Sequence, residues 1–162
     1  MTSPSRILLL GLTCAVYLAI SACDTSKPTE PDPTLGSDTI ILTFGQPTDM
    51  WPNDPFTLLS TDVSGDTLIV EVQYSGGCVE HDFKLVCYGS WMESLPVQVG
   101  ILLSHNAHDD NCDAVITKTL RFDLTPLRVE YSKFYSPSPD ILIMVLRSGM
   151  TMDDIWRIEY SF

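Results

Sequence analysis

The chain has 162 residues and a formal net charge of −12, from 9 basic and 21 acidic side chains. This length allows one ordinary domain, with or without a tail, and is too short for two. The acidic balance argues against nucleic-acid binding, which needs a basic surface, and against docking of the folded part on anionic lipid through charge.

The N-terminal residues have the pattern of an export signal. Arg6 supplies a positive charge, and the apolar run at residues 7–20 is shorter than the roughly 20 residues of a membrane-spanning helix. The next residues, Ile20-Ser21-Ala22-Cys23, resemble the bacterial lipobox, in which an aliphatic and two small residues precede a cysteine. The resemblance implies that residues 1–22 are a lipoprotein signal peptide and that Cys23 is lipidated and becomes the mature N-terminus. An ordinary secretory signal cleaved near Ala22 is the alternative.

Residues 23–39 are predicted to be the lipid attachment and a disordered tether. Prolines, hydroxyl side chains and acids dominate this stretch, and a single large aliphatic residue, Leu35, cannot build a core. Its prolines keep a tether partly extended. The prediction therefore places a folded domain in the bacterial cell envelope, outside the cytoplasm, with the membrane as a partner through the lipid at Cys23.

Residues 40–162 are predicted to be rich in β-strands. Apolar and polar residues alternate, as in half-buried strands, at residues 68–74, 97–103, 127–131 and 156–162. Residues 141–146 are apolar on both faces, which indicates a central strand. Further candidates are residues 40–44, 83–88 and 114–122, whereas residues 49–59, with two prolines, are predicted to be a loop.

Eight strands with no helix between them predict an all-β fold. We expect a single antiparallel β-sandwich of the immunoglobulin-like kind over residues 40–162, with a small β-barrel as the alternative. The order of lipobox, tether and small all-β domain resembles the layout of NigD-like lipoproteins of Bacteroidota, with a fainter similarity at His105-Asn106-Ala107. No functional residue is transferred from this resemblance.

Three cysteines remain in the predicted domain, namely Cys78, Cys87 and Cys112. Export to an oxidising compartment favours disulfides, and three cysteines allow one bridge. Cys78 and Cys112 lie in polar, loop-like contexts, whereas Cys87 lies in a strand pattern and can be a buried thiol. We therefore favour a Cys78–Cys112 disulfide, with Cys78–Cys87 as the alternative.

All three histidines, His81, His105 and His108, lie near these cysteines. A Cys78–Cys112 disulfide would draw their loops together, and imidazoles beside carboxylates suit zinc or copper. Oxygen ligands for Ca²⁺ at residues 109–113 are a second alternative. The third is a solvated hairpin tip with no metal. The neighbouring acids are Glu80, Asp82, Asp109, Asp110 and Asp113.

No enzyme motif is visible in the sequence. It lacks the G-x-S-x-G elbow, the G-x-x-x-x-G-K-[ST] phosphate loop, H-E-x-x-H and C-x-x-C. The sequence therefore predicts a non-enzymatic binding or assembly module, with an unidentified envelope protein or small ligand as its partner. The alternative is a zinc- or copper-binding lipoprotein that uses the three histidines. Trp51 and Trp91, in loop contexts, are candidates for ligand contacts.

Overall fold

The computed structural model describes residues 38–135, 140–148 and 155–162. The predicted signal peptide, Cys23 and the tether up to residue 37 lie outside this part of the chain. No helix among the described residues has the length and apolar character needed to cross a membrane. In chain order the described elements are β1 (Asp38–Thr39), β2 (Ile41–Leu42), β3 (Thr57–Ser64), β4 (Thr67–Gly76), β5 (Asp82–Cys87), β6 (Val97–Asn106), β7 (Ala114–Asp123), α1 (Thr125–Tyr131), β8 (Ile141–Ser148) and β9 (Ile155–Ser161).

The strands form two sheets that pack face to face, which confirms the predicted β-sandwich. One sheet has the order β1-β7-β4-β3 and the other β2-β5-β6-β8-β9. In the described strands the two sheets do not close into a single barrel. The core lies between them, because every second side chain of the long strands points inward. Fully buried examples are Leu68, Val70 and Val72 of β4, Leu85 of β5, Ile101 and Leu103 of β6, and Leu142, Met144 and Leu146 of β8.

The strand pairing is mixed, so the expectation of a purely antiparallel sandwich was wrong. β6 pairs in parallel with β8, β1 with β7, and β2 with β5, while the other pairs are antiparallel. Between β6 and β8 the chain passes through β7, in the other sheet, and then through α1. A connection of that length lets the chain return to a neighbouring position in the same direction.

The predicted strand at residues 127–131 is instead the helix α1, and this prediction was also wrong. Asp123 holds the helix start, because its Oδ1 accepts hydrogen bonds from the backbone N–H (2.9 Å) and the hydroxyl (2.6 Å) of Thr125. Leu127 and Tyr131 are buried four residues apart on one helical face, whereas Val129 is 50% exposed. Leu127, Val129 and Tyr131 stand at alternate positions, as apolar residues of a strand do. The helix has only two turns, so its own period was too short to be recognised in the sequence.

β3 was missed, and residues 57–59 of the predicted loop belong to it. Its sequence, TLLSTDVS, is mostly polar, because β3 is an edge strand that pairs only with β4 among the described strands. Gly65, with a φ of +56°, lies in the two-residue turn from Ser64 to Thr67. Turns of this kind require a left-handed residue, which glycine adopts without a steric penalty.

The turn between β3 and β4 also fixes α1 against the second sheet. Arg128 donates two hydrogen bonds to the carboxylate of Asp66, from Nε at 3.0 Å and from a terminal nitrogen at 2.6 Å. The hydroxyl of Tyr160, in β9, donates to the same carboxylate. These contacts, that of Tyr160 first, hold the pKa of Asp66 below its usual range. One carboxylate thus joins the turn, the helix and β9.

Candidate functional site

Two loops meet at one end of the sandwich and are joined covalently. Cys78, between β4 and β5, and Cys112, between β6 and β7, form a disulfide with their Cα atoms 5.9 Å apart. This is the pairing that the sequence favoured. Cys87 is buried in β5 and has no disulfide partner among the described residues. Burial raises the pKa of its thiol to about 12, so it behaves as an inert core residue.

His81 and His105 lie in contact beneath this disulfide. Nδ1 of His81 lies 2.9 Å from Nε2 of His105, and the two residues are only 2% and 1% exposed. Tyr74 stacks on the ring of His81 with centroids 4.5 Å apart, and Phe83 stacks on that of His105 at 4.3 Å. The two histidines are therefore fixed in an aromatic layer of the core.

The partners of this histidine pair determine which nitrogens carry hydrogen. Nδ1 of His105 lies 3.1 Å from the carbonyl oxygen of Asp54, which can only accept, so this nitrogen donates and Nε2 accepts from His81. Nε2 of His81 faces the carboxylate of Asp110 at 3.3 Å. The three bonds need three N–H groups, whereas two neutral imidazoles carry two. Burial is the main cause that lowers the pKa of His105.

Asp110 is held almost entirely by backbone groups. Its Oδ2 accepts hydrogen bonds from the N–H groups of residues 77–79 at 2.9–3.0 Å, and its Oδ1 accepts one from Cys112 at 3.0 Å. These bonds, from Cys112 and Val79 first, hold the pKa of Asp110 far below its usual range. Asp110 therefore acts as an ionised clamp between the two disulfide-linked loops.

Gly76, the last residue of β4, makes room for this arrangement. A Cβ atom at this position would lie 2.6 Å from Nε2 of His81 and 3.0 Å from Oδ2 of Asp110. The distance to the ring is too short for a real Cβ atom, and the distance to Asp110 is tight, so the close approach of β4 to His81 requires glycine. The Gly76-Gly77-Cys78 segment thus contributes space and N–H donors as well as a cysteine.

His108 lies apart from the other two histidines, on the surface of the β6–β7 loop. Its Nε2 is 2.8 Å from Oδ2 of Asp82, and this hydrogen bond lowers the pKa of that carboxyl. Among the described residues, the one group of three potential ligand atoms within 4.8 Å is Cys78, Asp110 and Cys112, whose sulfurs form the disulfide. The structure thus brings together two of the three predicted ligands, and metal binding stays a prediction.

The loop tryptophan Trp91 packs against the domain. Its ring lies 5.4 Å from that of Phe44 and 5.6 Å from that of Tyr131, between centroids, and it is half-buried. Trp51 is also half-buried, and its indole nitrogen has no hydrogen-bond partner among the described residues. Trp91 therefore covers an edge of the core.

A cleft of about 290 Å³ lies where the two sheets separate, between β5 and β7. β1 covers only Phe122 and Asp123 of β7, and β2 covers only Val86 and Cys87 of β5. The remaining lengths of both strands have no strand partner on this side among the described residues. The apolar lining consists of Phe83, Leu120 and Phe122, and the basic residues are Lys84, Lys118 and Arg121. We call this the β5–β7 cleft.

The three basic side chains of the β5–β7 cleft form no direct ion pair with any described residue, although the charges of Lys84 and Lys118 contribute to lowering the pKa of Asp82. Three acids, Asp38, Glu80 and Asp82, also line the cleft, and Asp82 is bonded to His108. The other described cations interact elsewhere: Arg128 with Asp66, Lys133 with Glu130, Arg157 with Gln98, and Arg147 over the ring of Tyr88. All described lysines and arginines without a polar or aromatic partner therefore lie at one cleft.

Sequence reasoning missed this cleft. Lys84 lies in β5, whereas Lys118 and Arg121 lie in β7, and only the packing of the two sheets brings them together. The available signal was the presence of three cations in two predicted strands of a strongly acidic chain.

Comparison with known proteins identifies the fold. No protein-family profile and no curated protein matches the sequence. Among solved structures, the chain is similar to a NigD-like immunity protein from Bacteroides caccae, with 19% identity and a TM-score of 0.53 over 76% of this chain and 58% of that one. It is also similar to a candidate lipoprotein from Bacteroides fragilis, with 17% identity and a TM-score of 0.51 over 77% and 69%.

A third similar structure is a protein of unknown function from Bacteroides vulgatus, with 15% identity and a TM-score of 0.50 over 78% of this chain and 56% of that one. The chain thus spans little more than half the length of two of these neighbours. At these identities the similarity establishes the fold alone. It confirms the predicted likeness to NigD-like proteins as one between β-sandwich domains.

Proposed function

We propose that the chain is a lipid-anchored protein of the bacterial cell envelope whose sandwich is a non-enzymatic binding module. Its ligand is acidic and binds in the β5–β7 cleft. The observation that carries this proposal is the group of three cations without a direct ion pair, Lys84, Lys118 and Arg121, in a protein where acids outnumber bases. Carboxylate or phosphate groups would form charge-assisted hydrogen bonds with such a group.

The histidine pair supports binding rather than catalysis. A general acid or base must reach the proton that it transfers. His81 and His105 are buried, and each of their ring nitrogens faces a protein partner. Their geometry accounts for a rigid connection between the two disulfide-linked loops, which in turn fixes the end of β5 beside the cleft.

The anchor rests on the lipobox at residues 20–23, and the description of one structural neighbour as a candidate lipoprotein agrees with it. Another structural neighbour is described as an immunity protein, and this description is compatible with a module that acts by binding. Labelled palmitate should enter the wild-type chain, and Cys23→Ala should release the protein from the membrane fraction. A wild-type chain that takes up no label would contradict the anchor.

Amine acylation in intact cells tests the binding site. Lys84 and Lys118 should react more slowly with an amine-specific reagent in the envelope of the native host than in the purified chain, because a bound ligand shields them. Lys133 is the matched control, since it lies outside the cleft and its side chain is 58% exposed. Equal reactivity of Lys84 and Lys118 in cells and in the purified chain, with Lys133 also unchanged, would contradict a ligand at the cleft.

A further inference from the structure

One edge of β7 has no strand partner over residues 115–121 among the described residues, and it indicates how the proposed ligand is held. Resting on the proposed function, we propose that the ligand is an extended, acidic segment of a partner protein that adds to β7 as a further strand and closes the β5–β7 cleft.

The hydrogen-bonding groups of the β7 edge can be assigned from one contact. The carbonyl oxygen of Asp123 accepts the N–H of Ile40 at 3.1 Å, so the backbone groups of Asp123 point away from β4. The register between β4 and β7 is continuous from residue 114 to residue 123, and backbone groups alternate in direction along a strand. The N–H and C=O groups of Val115, Thr117, Thr119 and Arg121 therefore also point to the open edge.

On the opposite wall of the cleft, the first part of β5 likewise has no partner on this side among the described strands. The carbonyl oxygen of Cys87 accepts the N–H of Thr43 at 2.8 Å, and the same alternation directs the backbone groups of Phe83 and Leu85 outward. Native proteins usually cover, twist or charge such edges, because unpaired strands recruit other strands. β1 shows that the edge of β7 accepts a strand, since it already pairs with the last two residues. An added segment would continue this pairing over residues 115–121.

The side chains of the cleft specify the chemistry of the added segment. Successive side chains of a strand point to opposite faces. One face of the added strand would cover Phe83 and Leu120, which favours apolar residues there. Lys84 and Arg121 lie on the opposite faces of β5 and β7 from Phe83 and Leu120, and they favour acidic residues at the other positions. Lys118 lies on the same face of β7 as Leu120 and favours an acidic residue at one end of the otherwise apolar face. Extended-peptide recognition commonly combines backbone pairing for affinity with side-chain pockets for specificity.

A peptide of about eight residues with alternating Glu and Val, blocked at both ends, has the length of an ordinary strand and serves as the probe. The protein is the mature chain with Cys23→Ala, labelled with ¹⁵N and purified from an oxidising compartment. We expect the amide signals of Thr117, Thr119 and Arg121 to shift on titration and their hydrogen exchange to slow. A peptide with Lys in place of Glu should bind at least about tenfold more weakly, because the cations of the cleft repel it.

Proline substitution separates backbone pairing from charge. Thr119→Pro removes an outward N–H while leaving the pairing of β7 with β4 intact. It should lower the affinity for the Glu-Val peptide by about tenfold or more. Thr119→Val keeps the N–H and should retain binding. Thr61→Pro is the matched control on β3, at the far edge of the same sheet. Thr61 pairs with Val70, whose backbone groups face β7, so its own N–H points outward.

Four results would overturn the proposal. The first is the absence of shifts at Thr117, Thr119 and Arg121 up to millimolar peptide, and the second is equal binding by Thr119→Pro and wild type. The third is that these amides exchange slowly even without peptide and exchange faster once residues 24–37 are deleted. The chain's own tether would then be the occupant. The fourth is protection that grows with protein concentration, which would make a second copy the occupant.

The proposed function can survive these results. If Lys84 and Lys118 are shielded in cells but the peptide does not bind, the cleft binds a ligand in a manner other than strand addition. If the lysines are also unshielded, both the binding site and the strand addition are wrong.

Discussion

Gly76→Ala is the most specific test of the histidine arrangement. The substituted Cβ would lie 2.6 Å from Nε2 and 2.8 Å from Cε1 of His81. The His81 ring cannot rotate away, because it is stacked on Tyr74 and hydrogen-bonded to His105. The φ of Gly76 is one that L-residues adopt, so the substitution introduces a clash without backbone strain. The ring must therefore shift, and its hydrogen bond to Asp110 or to His105 must break.

The size of the effect follows from these two changes. Overpacking in a fixed core costs about 1–3 kcal/mol, and a buried polar group that loses its partner costs about 1–3 kcal/mol. Because a shift of the ring relieves part of the overpacking, we expect the free energy of unfolding to fall by about 2–4 kcal/mol. For a domain of this length that corresponds to a decrease in Tm of roughly 8–15 °C.

Urea and thermal unfolding of the oxidised chain measure this effect. Gly65→Ala is the matched control, because its Cβ would meet no atom within 4 Å and only the left-handed φ of +56° is disfavoured, at about 1 kcal/mol. In the double variant Gly76→Ala/His81→Ala the clash with the imidazole ring is absent and only the close contact with Asp110 remains, so the combined loss should be smaller than the sum of the two single losses. A Gly76→Ala chain as stable as Gly65→Ala, or strict additivity with His81→Ala, would refute the reasoning.

Three further predictions concern the acid clamp, the helix and the metal. The pKa of Asp110 is depressed in the folded state, so its stabilisation is present above the unfolded pKa of about 4 and is lost as the pH falls below it. Urea unfolding of Asp110→Asn should therefore depend less on pH between about 5 and 3 than wild type, and an unchanged dependence would exclude this role. Leu127→Ala should lower the free energy of unfolding by about 2–5 kcal/mol and Val129→Ala by under about 0.5 kcal/mol, as expected for the buried and exposed faces of α1 but not for a strand. Mass spectrometry of the purified chain should find zinc and copper well below one equivalent, because His81 and His105 are bonded to each other. A full equivalent that is lost on His81→Ala and His105→Ala would contradict this expectation and support the metal-binding alternative.

Much of the fold was predictable because one face of most strands is buried. Residues 68–74 alternate in polarity for this reason and lie in β4, whereas residues 97–103 lie in β6, which is buried on both faces over most of its length. β3 has a mostly polar sequence because it is an exposed edge, so periodicity could not reveal it. The parallel pairing of β6 with β8 depends on which sheet the intervening chain enters, and side-chain periodicity carries no information about that choice.

The candidate site was predictable only where residues are close in sequence to the cysteines. His81 and His105 lie near the two loops that the disulfide joins, so proximity of these loops implied proximity of the histidines. The direct bond between the rings, and the separation of His108, depend on side-chain packing and on the left-handed conformation of His108 and Asp109. The β5–β7 cleft depends on the alignment of two sheets, which no local pattern encodes.

The central claim is that the open side of the sandwich binds a ligand in the envelope, and site-specific photo-crosslinking in intact cells of the native host tests it most directly. A photoreactive residue in place of Thr119 should give a defined crosslinked adduct with another molecule. The yield of this adduct should fall strongly when Lys118→Glu and Arg121→Glu are introduced. The same residue at Thr61, on the opposite edge of the sheet, should give none. Equal adducts at Thr119 and Thr61, or none at Thr119, would contradict the account.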